Sequence, residues 1–243
     1  MQFHRYIIGI LLNKKMFKLS SAGGALIDGL LDLKDNETRL GEKYFSLVNI
    51  SNNPDEPLIA LIDENKTNNL IIQADKVVFK KTSFGEVSAV STDKAHQEFE
   101  ILWKKADSIL QFSAIRRIGI VGQFRFNETS ENSGANDLIK NLIKLSPPTH
   151  SGRFHLTYEN RQLNPDNSIP DKQTGDYWNT IYTYYLSEND ETPENGKINA
   201  NIDVQKYYNP AKSNLMSELK KVKEQFIKEK KVFRDSLRTM GFE

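Results

Sequence analysis

SNLMSELKKVKEQFIKEKKVFRDSLRTM, residues 213–240, nearly closes the chain, and its spacing decides what the rest of the fold must provide. Neither Gly nor Pro interrupts it. Leu215, Leu219, Val222, Phe226, Phe233, Leu237 and Met240 recur at helical steps and paint one narrow stripe along a helix. At 1.5 Å per residue that helix is on the order of 40 Å long. Water cannot be left against such a stripe, so something covers it. The spacing predicts a surface for a protein partner or a second copy of the chain, with packing on the chain's own sheet as the alternative. Glu229 and Lys230 make one polar break in the stripe.

Working outward, RRIGIVGQFRF (residues 116–126) reads as a strand. Ile118, Ile120, Gly122, Phe124 and Phe126 point one way, and Arg117, Gly119, Val121, Gln123 and Arg125 the other. Further strands are predicted at 4–12, 44–50, 58–63, 70–79, 85–90, 153–163, 177–186 and 197–207, with turn residues between them. Asn195-Gly196 is a hairpin signal. Helices are predicted at 17–33, from a cap at Thr92 or Asp93 through Leu110, and at 137–145 before Pro147 and Pro148. Gly23, Gly24 and Gly29 in the first helix suit close approach to a sheet or to another backbone. Clustered strands with alternating polarity predict an α+β fold: a largely antiparallel sheet, packed helices and the long terminal helix. One domain over 1–243 is expected, with Ser91 and Pro147 as candidate points of subdivision.

Composition excludes several classes of function. The chain has 243 residues, 38% hydrophobic and 27% charged, which suits a folded protein. Its 33 Lys and Arg against 32 Asp and Glu give no global attraction to polyanions. Having no Cys, it can form no disulfide, thiolate nucleophile or Cys-ligated zinc site. The apolar run Tyr6–Leu12 follows His4 and Arg5 but lacks a small-residue cleavage site directly after it. It reads as a buried strand and not an export signal. No stretch is long enough for a membrane span, and a cytoplasmic location is expected.

Motifs of chemistry are sparse. His4, His96, His150 and His155 show no helical pairing; His150 and His155, with Ser151 and Arg153 between, are the nearest to a cluster. Ser21-Ala22-Gly23-Gly24-Ala25 lacks the endings of phosphate-binding loops. Asp63, Asp75 and Lys76 could be assembled into a nuclease-like centre, as could such a trio in almost any chain. No catalytic residue, metal site or cofactor is therefore assigned. Cations and rings on strands carry more weight. Arg116, Arg117, Arg125, Arg153 and Arg161, with Trp178 beside Tyr177, Tyr182, Tyr184 and Tyr185, form a candidate nucleic-acid-binding set. Cross-strand pairing of rings with arginines is the plainer alternative.

Residues 116–126, with the strands and terminal helix that follow, resemble a sporadically distributed family of bacterial proteins of about this length. The resemblance carries no activity or site residue with it. Patchy distribution implies an accessory role such as defence against phage. The expected function is a non-enzymatic binding or assembly subunit of a bacterial cytosolic system, docking through the terminal helix. Nucleic-acid binding through the Arg and aromatic strands is the alternative, and a dispersed carboxylate or His enzyme the second.

Overall fold

The computed structural model describes residues 1–36, 40, 47–51, 57–84, 89–126, 137–144, 154–164, 166, 168–170, 175–186 and 198–241. Among these described residues nine strands form one sheet: β1 (Gln2–Leu12), β2 (Leu47–Ser51), β3 (Leu58–Ile62), β4 (Asn68–Gln73), β5 (Lys76–Thr82), β6 (Ile115–Arg125), β7 (His155–Arg161), β8 (Tyr177–Leu186) and β9 (Ile198–Lys212). Their order across the sheet is β2-β3-β4-β5-β1-β6-β9-β8-β7. Every pairing is antiparallel, so the fold is α+β as the clustered strands predict.

Helices α1 (Lys18–Asn36), α2 (Thr92–Leu110) and α3 (Leu215–Thr239) pack on one side. A short π-helical segment (Ile139–Ile143) begins beside Leu138, which joins the same core. Even-numbered residues of β1 from Tyr6 to Leu12 meet this layer, as do Ile118, Ile120 and Phe124 of β6. Gly23 of α1 lies over Ile59 of β3, and Gly29 faces Ile109 of α2; a Cβ there would come within 2.9 Å of the Ile109 Cδ1. The glycines thus set how closely α1 meets sheet and helix.

The middle of the sheet joins two stretches of similar chain order. Ile8-Gly9-Ile10 lies opposite Ile118-Gly119-Ile120, with Gly9 facing Gly119. On each side the chain runs strand, helical segment, antiparallel meander, helix: β1-α1-β2-β3-β4-β5-α2, then β6, residues 137–143, β7-β8-β9 and α3.

Several boundaries differ from the sequence reading. The stretch 70–79 is not one strand: it turns at Ala74-Asp75 between β4 and β5, where no Gly or Asn-Gly marks the turn. Ser91 caps α2 in place of Thr92 or Asp93, its Oγ accepting from Lys94 N at 3.3 Å. β9 continues past Tyr207 to Lys212 through a cis Asn209-Pro210 bond. Residues 44–46, 85–88, 127–136, 145–153 and 187–197 lie outside the described residues, and with them Pro147, Pro148, His150, Arg153 and the Asn195-Gly196 turn.

Candidate functional site on the helix-free face

The terminal stripe is covered within the single chain. Leu215, Leu219, Val222, Phe226, Phe233 and Leu237 are all buried, and Met240 packs partly against the same core. Phe226 lies 5.4 Å from the Tyr6 ring and 6.4 Å from Phe3; Phe233 lies 5.7 Å from Phe124 and 5.3 Å from Tyr182. Asn214 caps the helix through Ser217 N. The polar break is also satisfied from within: Glu229 accepts from Tyr182 OH at 3.4 Å and Gln225 Nε2 at 2.8 Å. Lys230 lies over the Phe3 ring, 4.3 Å from its centroid. Lys223 reaches Asp93 on α2 at 2.7 Å, and this contact holds the Asp93 carboxyl below its ordinary range. No partner reaches these apolar side chains while α3 stays docked.

On the other side of the sheet no described helix packs. β9 shows why in its own alternation. Ile198, Ala200, Ile202 and Val204 enter the core, while Asn199, Asn201, Asp203, Gln205 and Tyr207 turn to the opposite, helix-free side, where Asn199 and Gln205 are themselves buried. Antiparallel register sets them in rows. Arg117, Tyr207 and Tyr177 form one; Gly119, Gln205, Asn179 and Arg161 the next; Gln123, Asn201, Thr183 and Thr157 another; Arg125, Asn199, Tyr185 and His155 the last. Arg117 and Arg125 are eight residues apart on β6, about 27 Å. Arg161 stands three strand spacings away, about 14 Å across the sheet.

The rows are linked. Arg117 Nη1 donates to Tyr207 OH at 3.3 Å, and Tyr207 OH donates to Gln205 Oε1 at 2.7 Å. Gln205 Nε2 in turn donates to Asp203 Oδ2 at 2.6 Å. Tyr177 and Tyr207 stack, with centroids 4.5 Å apart and planes 5° apart. Arg117 and Arg161 cap this pair, over Tyr207 at 5.6 Å and over Tyr177 at 5.4 Å. Arg161 and Asn179 both donate to Glu159, each at 3.0 Å. Burial raises the Asp203 carboxyl above its ordinary pKa, against the Gln205 hydrogen bond and the Arg117 charge. Burial also pushes the Tyr177 phenol up to about 12, helped by Tyr207.

Much of this face is still hungry for partners. Gln123 Oε1, Asn179 Oδ1, Asn201 Oδ1, Asp203 Oδ1, Tyr177 OH, Arg125 Nε and Arg161 Nε are all shielded, with no hydrogen-bond partner among the described residues. Asn179 and Tyr177 are each only 4% exposed. Folded proteins rarely strand so many polar atoms on one surface, because each costs free energy until solvent or a ligand meets it. The chemistry on offer is carboxamide carbonyls, guanidinium N–H groups and ring faces. Charge favours anions: Arg5, Lys76, Lys80, Arg117, Arg125 and Arg161 face outward on these strands, against Asp203 and Glu159.

Of the nucleic-acid set read from sequence, the fold brings Arg117, Arg125 and Arg161 to this one face. Arg116 is exposed beside an irregularity in the β6–β9 register. Trp178 belongs to the opposite side, where Lys206 lies over its ring at 4.8 Å. Arg153 lies outside the described residues. The amides of Gln123, Asn179, Asn199, Asn201 and Gln205 carry no motif that marks them as a set, although the polar alternation from Asn199 to Tyr207 announces most of them.

The trio Asp63, Asp75 and Lys76 is not brought together: Asp63 lies at the β3–β4 turn, and Asp75 and Lys76 at the other end of β4. Asp63 is buried and holds the β3–β4 turn, accepting from Asn68 N at 3.0 Å, Asn68 Nδ2 at 2.9 Å and the Thr67 hydroxyl. His4 and His96 are buried, and His155 is exposed at the β7 edge. Among the described residues no three His, Asp or Glu side chains are placed to hold a metal ion, and no helix is long and apolar enough to cross a membrane. The sequence matches no protein-family model and no curated protein.

Proposed function

We propose that the chain binds single-stranded nucleic acid across the helix-free face of β6, β9, β8 and β7. One observation carries this reading: a single sheet face gathers outward arginines, stacked tyrosines and a set of unpartnered, shielded amide and guanidinium atoms. Arginines on a sheet neutralise phosphates, rings offer stacking platforms, and Asn, Gln and Arg match the hydrogen-bonding edges of bases. A sheet face suits splayed bases better than a closed duplex. The near-zero net charge of the whole chain is no obstacle, since the positive charge is local.

Fluorescence anisotropy with labelled single-stranded and duplex oligonucleotides, at low and at high salt, tests this. Single strands bind at low salt and are released as salt rises. Replacing Arg117, Arg125 and Arg161 together by Gln lowers the salt slope by about 2, near 0.7 for each phosphate no longer neutralised. Absence of binding at low salt, or a slope untouched by the triple substitution, refutes the assignment.

A second reading, assembly with another protein chain, keeps some support from α3. Ile227 and Val232 remain exposed on its two opposite flanks while the main stripe is buried. Light scattering across protein concentrations reports whether either flank joins copies.

A further inference from the structure

On the helix side of the sheet, away from the proposed nucleic-acid face, lies a cavity of about 720 Å³ lined by Met1, Phe3, Ala89, Val90, Phe124 and three cations of α3. Those cations are Lys230, Arg234 and Arg238. Spaced by four residues, they stand on one side of the helix about 6 Å apart. The floor is apolar: Met1 and Ala89 face the space, while Phe3 and Phe124, 9% and 2% exposed, lie beneath with rings 5.3 Å between centroids. No carboxylate is among the described lining residues.

The charges here are poorly compensated. Lys230 is half-buried over Phe3 and makes no ion pair among the described residues; burial lowers its pKa, and the neighbouring Arg234 lowers it further, against a distant Asp93. Among the described residues Arg234 has only Asp235, next to it in sequence, at 3.9 Å. A cation taken partly out of water without a counter-charge is costly, and an anion placed beside it removes that cost. The size lies within the range of pockets that hold small organic molecules.

We propose that this cavity binds an organic anion: an apolar body resting on Met1, Ala89 and the exposed edge of Phe3, and a phosphate or carboxylate held by Lys230, Arg234 and Arg238. An apolar floor and a ladder of cations beside it divide the ligand into those two parts. Neither part alone satisfies the site.

Anilinonaphthalene sulfonate, an anion with a flat apolar body, is the probe. It gives saturable fluorescence with the intact folded chain. The double variant Arg234→Gln/Arg238→Gln weakens it by about tenfold or more, since charge-assisted hydrogen bonds to the sulfonate no longer form. Both arginines are exposed, so the melting curve of this variant stays that of the parent. Lys230→Met, which keeps the stem over Phe3, weakens the probe as well. Adenosine monophosphate or dodecyl phosphate displaces it, and whichever does so better tells a ring from an acyl chain. The proposal fails if no saturable signal appears, if neither variant changes affinity, or if inorganic phosphate competes as well as the larger anions. Oligonucleotide binding is unchanged in the double variant, so the two sites are tested separately.

Discussion

Placing one methyl group on Gly122 tests how the terminal helix is seated. A Cβ at this position of β6 would stand 2.7 Å from Cζ and 3.1 Å from Cε2 of Phe226, and 2.8 Å from Cε2 of Phe3. Carbon atoms prefer about 3.5–4.0 Å, so the rings must retreat by nearly an ångström. Phe3 borders the cavity, but Phe226, the nearer ring, has nowhere to go: it is wholly buried, with Tyr6 at 5.4 Å. Overpacking of this kind costs about 1–3 kcal/mol. Gly→Ala returns about 0.4–1 kcal/mol by restricting the unfolded chain. Gly122→Ala is therefore expected to destabilise by about 1–2 kcal/mol, a fall in Tm of about 2–8 °C for a chain of this size. Circular dichroism melts and urea titration read it directly. Phe226→Leu alone removes part of the ring packing and costs about 1–2 kcal/mol, but it also makes room for the methyl group. The double variant should then be more stable than the sum of the two losses by about 1 kcal/mol, the coupling of residues that touch. A Gly122→Ala protein that melts at or above the parent temperature, or a strictly additive double variant, would show that α3 does not rest on β6.

Two further outcomes follow from buried polar groups. Asp63→Ala strands Asn68 N and the Thr67 hydroxyl at the β3–β4 turn; a loss of about 1–3 kcal/mol and faster hydrogen exchange over 64–69 are expected, and unchanged exchange would contradict the role given to Asp63. Burial, with the charges of Arg125 and Arg5, lowers the pKa of His4 from 6.5 to about 4; burial, with Lys223, does the same to His96. The unfolded chain therefore takes up protons before the folded one, so stability present above pH 6.5 is lost as pH falls toward 4, by at most about 1.4 kcal/mol per pH unit for each histidine. Melts across that window should flatten in the His4→Gln/His96→Gln variant, and an undiminished acid slope would place its origin elsewhere.

The elements with strict periodicity are legible from sequence alone. β6, α2 and α3 emerge within a residue or two of the predicted limits because each carries a full pattern of 2.0 or 3.6. The β4–β5 turn does not, because Leu70 to Phe79 is apolar and β-branched over most of its length. A two-residue reversal there is decided by pairing with β1 and β3, not by turn chemistry. Periodicity also shows that the α3 stripe must be covered without showing by what, since Phe3, Tyr6, Phe124 and Tyr182 are remote in sequence. For the site, alternation alone puts Arg117 and Arg125 on one side of β6. Trp178 reads as one of their set because it sits among tyrosines, yet one step along a strand reverses the side on which a residue emerges. The amides escape notice because Asn and Gln read as loop formers until their every-other-residue spacing is counted.

The meeting of Ile8-Gly9-Ile10 with Ile118-Gly119-Ile120 makes the middle of the molecule a hem between two look-alike panels. The β1–β6 ladder and the rings beneath α3 stitch them together. A fragment ending before β6 would carry the first panel whole but leave β1 with eleven residues of bare main chain along one margin. Such a margin recruits whatever strand it meets. The second panel therefore serves the first as a permanent bandage, over and above anything its own open surface holds.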